Sequence, residues 1–258
     1  DRPRFAAIAY GRLGGEELGY AADLDLVFLY DGADERAPEA YALLAQRVSA
    51  WLSTRTAAGL LFDTDLRLRP NGQSGMLVSS LAAFEAYQND AAWVWEHQAL
   101  TRARFSAGDA SIGERFEAIR RSVLARPRDR DRLRDEVRAM RARMREGHPN
   151  RSDRFDLKHD RGGMVDIEFI VQFLVLAHSG EHRPLLDNAG NIALLGRAGE
   201  FGMIDAALAQ RAAEAYRRYR RLQHQARLDG VAARVKPDSV AGERAAVRAL
   251  WGSLFGAD

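Results

Sequence analysis

Residues 24–30 read Leu-Asp-Leu-Val-Phe-Leu-Tyr, a strand that is apolar on both faces after its first turn. Both faces of such a strand call for cover, so it points to a layered arrangement of sheet and helices. Its surroundings alternate in the same sense. Residues 5–10 read as a short buried strand, 11–19 as a glycine-rich turn, and 38–58 as a helix with Leu43, Leu44, Val48, Trp51 and Leu52 at helical spacing. Residues 60–69 read as a third strand, closed by Pro70-Asn71-Gly72, a strong turn signal. A further short strand is expected at 76–79 and helices at 81–87 and 91–104.

After about residue 107 the strand signals stop. Residues 111–124 and 128–146 form polar, arginine-rich helical patterns, 147–160 is loop-like, and 164–178, 188–199, 205–230 and 242–255 are helical. The expected fold class is therefore α+β: a mixed β-sheet domain with helices over residues 1–107, followed by an all-α helical-bundle domain over 108–258. The charge-dense stretch 126–134 reads as a solvated loop and helix start.

Composition narrows the function classes. The chain carries 38 basic and 36 acidic residues, a formal charge of +2, which is a poor basis for bulk nucleic-acid binding. Lys158 and Lys236 are its only lysines. The longest apolar run, 169–177, is about half the roughly 18 residues needed to cross a bilayer, so no membrane association is expected. With no cysteine, disulfides, thiolate metal sites and a cysteine nucleophile are excluded, and a cytoplasmic setting fits. The sequence begins without Met and with a strand close to its start, which reads as a piece of a longer polypeptide.

The chemistry concentrates at the head of the 24–30 strand. Asp23 and Asp25, two apart, project from one face. Two like charges so close repel, and a divalent cation offsets that repulsion. Mg²⁺ takes one or two carboxylates plus substrate phosphates, so Asp-x-Asp is a suitable platform. The bland alternative is a pair of carboxylates capping a strand in solvent. Gly14-Gly15, on the turn leading in, would let backbone approach a triphosphate, although a lone Gly-Gly is usually only a turn. On the third strand Asp65 stands beside Arg67 and Arg69. Asp65 could hold a second metal or accept a proton from an attacking hydroxyl, and either arginine could balance phosphate charge. In the helix at 95–104, Glu96 and Arg102 lie near opposite ends; the preferred reading is a solvated face with Trp95 in the core.

In the helical half, Met164, Ile167, Ile170, Val171 and Leu174 make a buried helix face. Asp166 falls beside Ile170 and Phe173, an expensive place for a charge. Two readings stand open for it: a first-turn carboxylate favoured by the helix dipole, or a group that closes over a nucleotide. Lys158 is a candidate phosphate partner. His224, in an arginine-rich helix, reads as structural.

Four stretches carry a family resemblance. They are Gly11-Arg-Leu-Gly-Gly-Glu-Glu-Leu-Gly-Tyr-Ala-Ala-Asp-Leu-Asp-Leu-Val-Phe, Asp65-Leu-Arg-Leu-Arg-Pro, Trp95-Glu-His-Gln-Ala-Leu-Thr-Arg-Ala-Arg and Gly162-Gly-Met-Val-Asp-Ile-Glu-Phe. They resemble bacterial glutamine synthetase adenylyltransferase, a bifunctional enzyme with two nucleotidyltransferase halves, and within it the C-terminal half, which adds AMP from ATP to a tyrosine hydroxyl. The other half removes AMP by phosphorolysis. The resemblance implies a nucleotidyltransferase-like first domain and metal-binding, catalytic roles for Asp23, Asp25 and Asp65 with Mg²⁺. The nucleotide-binding candidates beside them are Gly14, Gly15, Arg67, Arg69, Lys158 and Asp166. It also implies ATP and glutamine synthetase as partners, with glutamine and the PII signalling protein as regulators. One departure is that Ala21-Ala22 stands where a serine usually precedes the first aspartate.

Overall fold

The computed structural model describes residues 4–20, 22–32, 34–60 and 62–256. Ala21 and Leu61, which entered the sequence reading, lie outside the described residues. Contacts divide the chain into two compact units, residues 1–124 and 125–258.

The first unit is built on a sheet. β1 (Phe5–Ala9) runs antiparallel to β2 (Leu24–Tyr30), and a helical turn α1 (Gly11–Gly14) lies between them in sequence. Helix α2 (Ala37–Leu52) then crosses over to β3 (Thr64–Asp65) and β4 (Val78–Ser80), both parallel to β2. Helices α3 (Leu81–Asp90) and α4 (Val94–Leu100) lead to β5 (Arg104–Gly108), antiparallel to β1, and to α5 (Ala110–Leu124). The sheet order is β3-β2-β1-β5, with β4 also on β2.

β2 is the organising strand, as its sequence demands. Leu24, Leu26, Phe28 and Tyr30 enter one core cluster with Ala37, Ala45 and Val78. Val27 and Leu29 point to the other face and are equally buried. Phe5 stacks on Phe28 and Tyr41 at 5.5 and 5.6 Å between ring centroids, tying α2 to that first face.

Several expectations change here. Among the described residues of the strand expected at 60–69, only Thr64 and Asp65 pair with β2, because the chain then curls into the turn that Pro70-Asn71-Gly72 announces. β5 falls where a helix was expected to end. It is a largely exposed edge strand whose Arg-Phe-Ser-Ala-Gly carries no alternation, and it exists because β1 offers it an open edge. In α2 the spacing of apolar residues marks the helix but not its inner face: Trp51 is 71% exposed and Leu43 52%, while Ala45 is fully buried. The expected division after residue 107 would part α5 from the elements it packs on. Phe116 of α5 meets Phe84 of α3 at 5.8 Å, and the compact units separate at 124/125.

The second unit comprises α6 (Arg130–Glu146), α7 (Met164–His178), α8 (Gly190–Glu200), α9 (Ala206–Leu228) and α10 (Ala241–Phe255). Its one departure from an all-helical pattern, among the described residues, is a small ribbon. There β6 (Phe155–Asp156) pairs antiparallel with β7 (Arg234–Val235). α7 is the central helix and is buried nearly all round, which its Met-Val-Asp-Ile-Glu-Phe-Ile-Val sequence requires. No helix among the described residues is long and apolar enough to cross a membrane.

Candidate active site

Parallel pairing of β2 with β3 sets Asp25 opposite Asp65 as register partners. Neighbouring strands lie about 4.8 Å apart, and register partners project to the same face. Asp23, exposed, stands one residue ahead of β2. The Leu24 N–H donates to the Asp63 carbonyl at 2.8 Å, which holds the heads of the two strands together. Asp25 and Asp65 are half-buried.

Arg67 faces this group. Its backbone N–H and Nε both donate to Asp65 Oδ1 at 2.9 Å, and its Nη2 pairs with Asp65 Oδ2. These hydrogen bonds hold the Asp65 carboxyl below the usual carboxylate range and keep it ionised. The guanidinium is in turn raised above its ordinary value, first by its hydrogen bonding to Asp65, then by that residue's charge, with smaller contributions from Asp25 and Asp23. One cation therefore feels all three carboxylates. Among the described residues no three acidic, histidine or cysteine side chains are grouped tightly enough to hold an ion by themselves.

The glycines of α1 serve contacts more specific than a loose turn. Gly11 has φ of +54°, and a Cβ there would lie 2.0 Å from Asp25 Oδ2. Its backbone thus forms the wall against which the Asp25 carboxylate rests. At Gly14 a Cβ would lie 2.0 Å from the Arg102 carbonyl oxygen and 2.5 Å from that of Ala9, so close packing of α1 on the sheet demands glycine. At Gly15 the obstacle is the Arg102 side chain, with Nε at 2.7 Å.

Arg102 and Arg104, not singled out as site residues from the sequence, clamp this segment. Arg102 Nη2 donates to Glu17 Oε2 at 2.6 Å. Arg104 donates to the carbonyls of Gly14 at 3.1 Å and Leu13 at 3.2 Å. Both partners lie about 85 to 90 positions away, so no local pattern could reveal them.

The turn after Asp65 is equally braced. Arg69, a phosphate candidate by sequence, directs Nε, Nη1 and Nη2 at the carbonyls of Gly75, Leu66 and Gln73, at 3.2, 2.7 and 3.1 Å. Its guanidinium shapes the turn. The Asn71 N–H donates to the Tyr87 hydroxyl at 3.2 Å, and that hydroxyl donates to Glu96 at 2.8 Å. Glu96 also accepts from the Trp93 N–H at 2.9 Å, closing the start of α4. The expected solvated face with Trp95 in the core is thus reversed: Glu96, His97 and Gln98 are buried, while Trp95 is only half-buried.

Lys158 and Asp166 belong to the second unit. Lys158 is exposed, its N–H donating to Asp156 Oδ1 at 2.9 Å. Asp166, 5% exposed, lies in the first turn of α7. It accepts from Arg141 Nε and from the Gly162 N–H, both at 2.6 Å. The costly charge noted in the sequence is therefore paired, and Asp166 fixes the entry to α7.

Comparison with known proteins adds the family context. The family model for glutamate-ammonia ligase adenylyltransferase matches residues 1–119. The family model for GlnD PII-uridylyltransferase matches residues 132–233. Among curated relatives, the bifunctional glutamine synthetase adenylyltransferase/adenylyl-removing enzyme of Aromatoleum aromaticum is 59% identical over 99% of this chain and 27% of its own length. Its namesake in Burkholderia mallei is 60% identical over 100% of the chain and 28% of its own length. That of Ralstonia nicotianae is 63% identical over 98% and 27%. The chain spans little more than a quarter of these relatives.

Proposed function

Because the chain belongs to the glutamine synthetase adenylyltransferase family, at 60% identity along its whole length, we propose that it transfers AMP from ATP to a tyrosine hydroxyl of glutamine synthetase. In that reading the sheet unit is the nucleotidyltransferase domain and the helical unit its companion. The tyrosine oxygen bonds to the α-phosphorus, the bond to pyrophosphate breaks, and the phenolic proton is released. The work left to the protein is positioning and electrostatics.

The observation that carries this reading is the register pairing of Asp25 with Asp65, with Asp23 two residues ahead of Asp25. The donors are all carboxylate oxygens, the hard ligands that Mg²⁺ takes, and it needs only one or two of them because phosphate oxygens and water complete its shell. Held there by one or two of the carboxylates of Asp23, Asp25 and Asp65, Mg²⁺ would neutralise the triphosphate and stabilise charge on the departing pyrophosphate. Gly11 sets the position of Asp25. Arg102 and Arg104 hold the α1 segment, and Arg69 with the Tyr87–Glu96 pair holds the turn beyond Asp65. Arg67 supplies positive charge where phosphates would gather.

The reverse, phosphorolytic reaction is the second reading, since the relatives' name includes adenylyl removal. The Glu17-Leu-Gly-Tyr, Trp95-Glu-His-Gln-Ala-Leu and Val165-Asp-Ile-Glu-Phe stretches favour the transferring half. Control by PII protein draws support from the match of residues 132–233 to a PII-uridylyltransferase; control by glutamine rests on the family resemblance, and a cytoplasmic setting fits a chain without cysteine. The test is labelling of unmodified glutamine synthetase from radiolabelled ATP, with and without Mg²⁺, beside release of label from the adenylylated form. Asp23→Asn with Asp25→Asn is expected to abolish labelling while circular dichroism and melting cooperativity stay intact. Full labelling by the double variant would refute the assignment.

A further inference from the structure

The buried stripe of α6 runs Leu133, Val137, Arg141, so an arginine occupies the third core position of an otherwise apolar series. Asp166 explains part of that choice. Arg141 gives Nε to Asp166 and Nη2 to the His159 carbonyl at 2.7 Å, yet its Nη1 is buried and has no hydrogen-bond partner. Trp251 of α10, 7% exposed, likewise has a buried, unpartnered Nε1–H. A buried donor left unpaired is costly, and these two belong to residues that share one cavity.

Both side chains line one cavity of about 280 Å³, together with Arg138, Arg145 and Asp135. Arg138, Arg141 and Arg145 recur at spacings of three and four, which brings three guanidinium groups to one side of α6. Ala139 and Ala142 keep that side of the helix low, which leaves the space open. The volume matches on the order of nine water molecules, or a small metabolite. Both unpartnered groups are donors, and the balance of charge around them is positive despite Asp135. A larger groove of about 790 Å³ between α9 and α10 is different: Arg218 there is already engaged by Glu243 and by the Ser239 carbonyl.

We propose that the cleft lined by Arg138, Arg141, Arg145 and Trp251 binds a small oxyanion, a phosphate or a carboxylate, received by guanidinium groups and the indole N–H. Planar guanidinium donors match either anion in a bidentate fashion. The site lies wholly within the helical unit and does not depend on the nucleotidyl-transfer reading.

The test uses the ¹⁵N-labelled 258-residue chain. The indole N–H resonance of Trp251 is assigned with Trp251→Phe, then followed while inorganic phosphate, and separately succinate, replaces chloride at constant ionic strength. A saturable shift with phosphate supports a phosphate ligand, and one with succinate a carboxylate. Arg138→Gln, at an exposed position, is expected to raise the half-saturation concentration about tenfold, as loss of one charge-assisted contact requires. No shift with either anion, a shift that does not saturate, or the same curve in Arg138→Gln would each overturn the proposal and leave the cavity holding water only.

Discussion

Replacing Asp166 by Asn separates a structural carboxylate from a nucleotide contact. The wild-type side chain receives two short hydrogen bonds of 2.6 Å, one from Arg141 Nε and one from the Gly162 N–H. Asn keeps a single acceptor oxygen, so one of the two bonds is lost. A bond to a charged group contributes roughly 1.5–3 kcal/mol. The partner left behind costs more: the Arg141 side chain is 4% exposed and would remain charged without its counter-ion. Breaking one side of a buried pair costs about 3–5 kcal/mol. We therefore expect Asp166→Asn to destabilise the helical unit by about 3 kcal/mol or more. In urea unfolding followed by far-UV circular dichroism, with an m-value of about 2 kcal/mol/M, the midpoint should fall by about 1.5 M. AMP transfer, measured well below the new midpoint, should change by less than the tenfold that about 1.4 kcal/mol of transition-state stabilisation represents. An unmoved midpoint with a loss of activity greater than about tenfold would refute the structural assignment and make Asp166 a nucleotide ligand.

The other expectations are local. Gly14→Ala drives a methyl into two backbone carbonyls and should destabilise the sheet unit by about 3 kcal/mol, whereas Gly32→Ala meets open space and should be neutral or slightly stabilising; equal melting temperatures for the two would contradict the packing. Gly11→Ala combines a positive φ with a clash on Asp25, so labelling of glutamine synthetase should fall more steeply than thermal stability, and a fully active variant would remove Gly11 from the site. His159 has its pKa lowered to about 4 by burial, with the charges of Lys158 and His148 adding to the effect. Its unfolded value lies near 6.5, so the unfolded state binds the extra proton first. Stability from this group is complete above about pH 6.5 and is lost as pH falls toward 4. His159→Gln should flatten the melting-temperature profile across that window, and an NMR titration midpoint near 6.5 would contradict the burial.

What the sequence made legible follows the range of the interactions concerned. β2 was readable because its apolar residues act on their own neighbours, and α7 because its burial is written in every turn. Asp166 was readable as a misplaced charge, but its partner lies 25 residues back on another helix. β5 escaped because its pairing comes from β1 and not from its own Arg-Phe-Ser-Ala-Gly. Arg69 looked like a free cation beside Asp65, since nothing local shows a guanidinium folding back onto the carbonyls of its own turn. Trp95 and Glu96 were exchanged for a related reason. A tryptophan is a good prior for the core, and the hydroxyl of Tyr87, nine residues away, together with the Trp93 N–H makes burial of the carboxylate tolerable.

The candidate site is vulnerable where its geometry depends on residues remote in sequence. Asp25 and Asp65 are 40 positions apart and meet only because β2 and β3 are parallel. Parallel neighbours cannot be joined by a tight turn; they need a crossover, and α2 supplies it. The register of the two carboxylates is therefore governed by how α2 seats on the sheet, through Ala37, Ala45 and the Tyr41 ring stacked between Phe5 and Tyr30 at 5.6 and 5.2 Å. A shift of β3 by one residue would turn Asp65 to the opposite face and bring Thr64 beside Asp25, ending the convergence. The fully buried Ala45 therefore bears on the proposed site although it is remote from it: a larger side chain there is expected to move the helix that sets which two residues stand opposite each other.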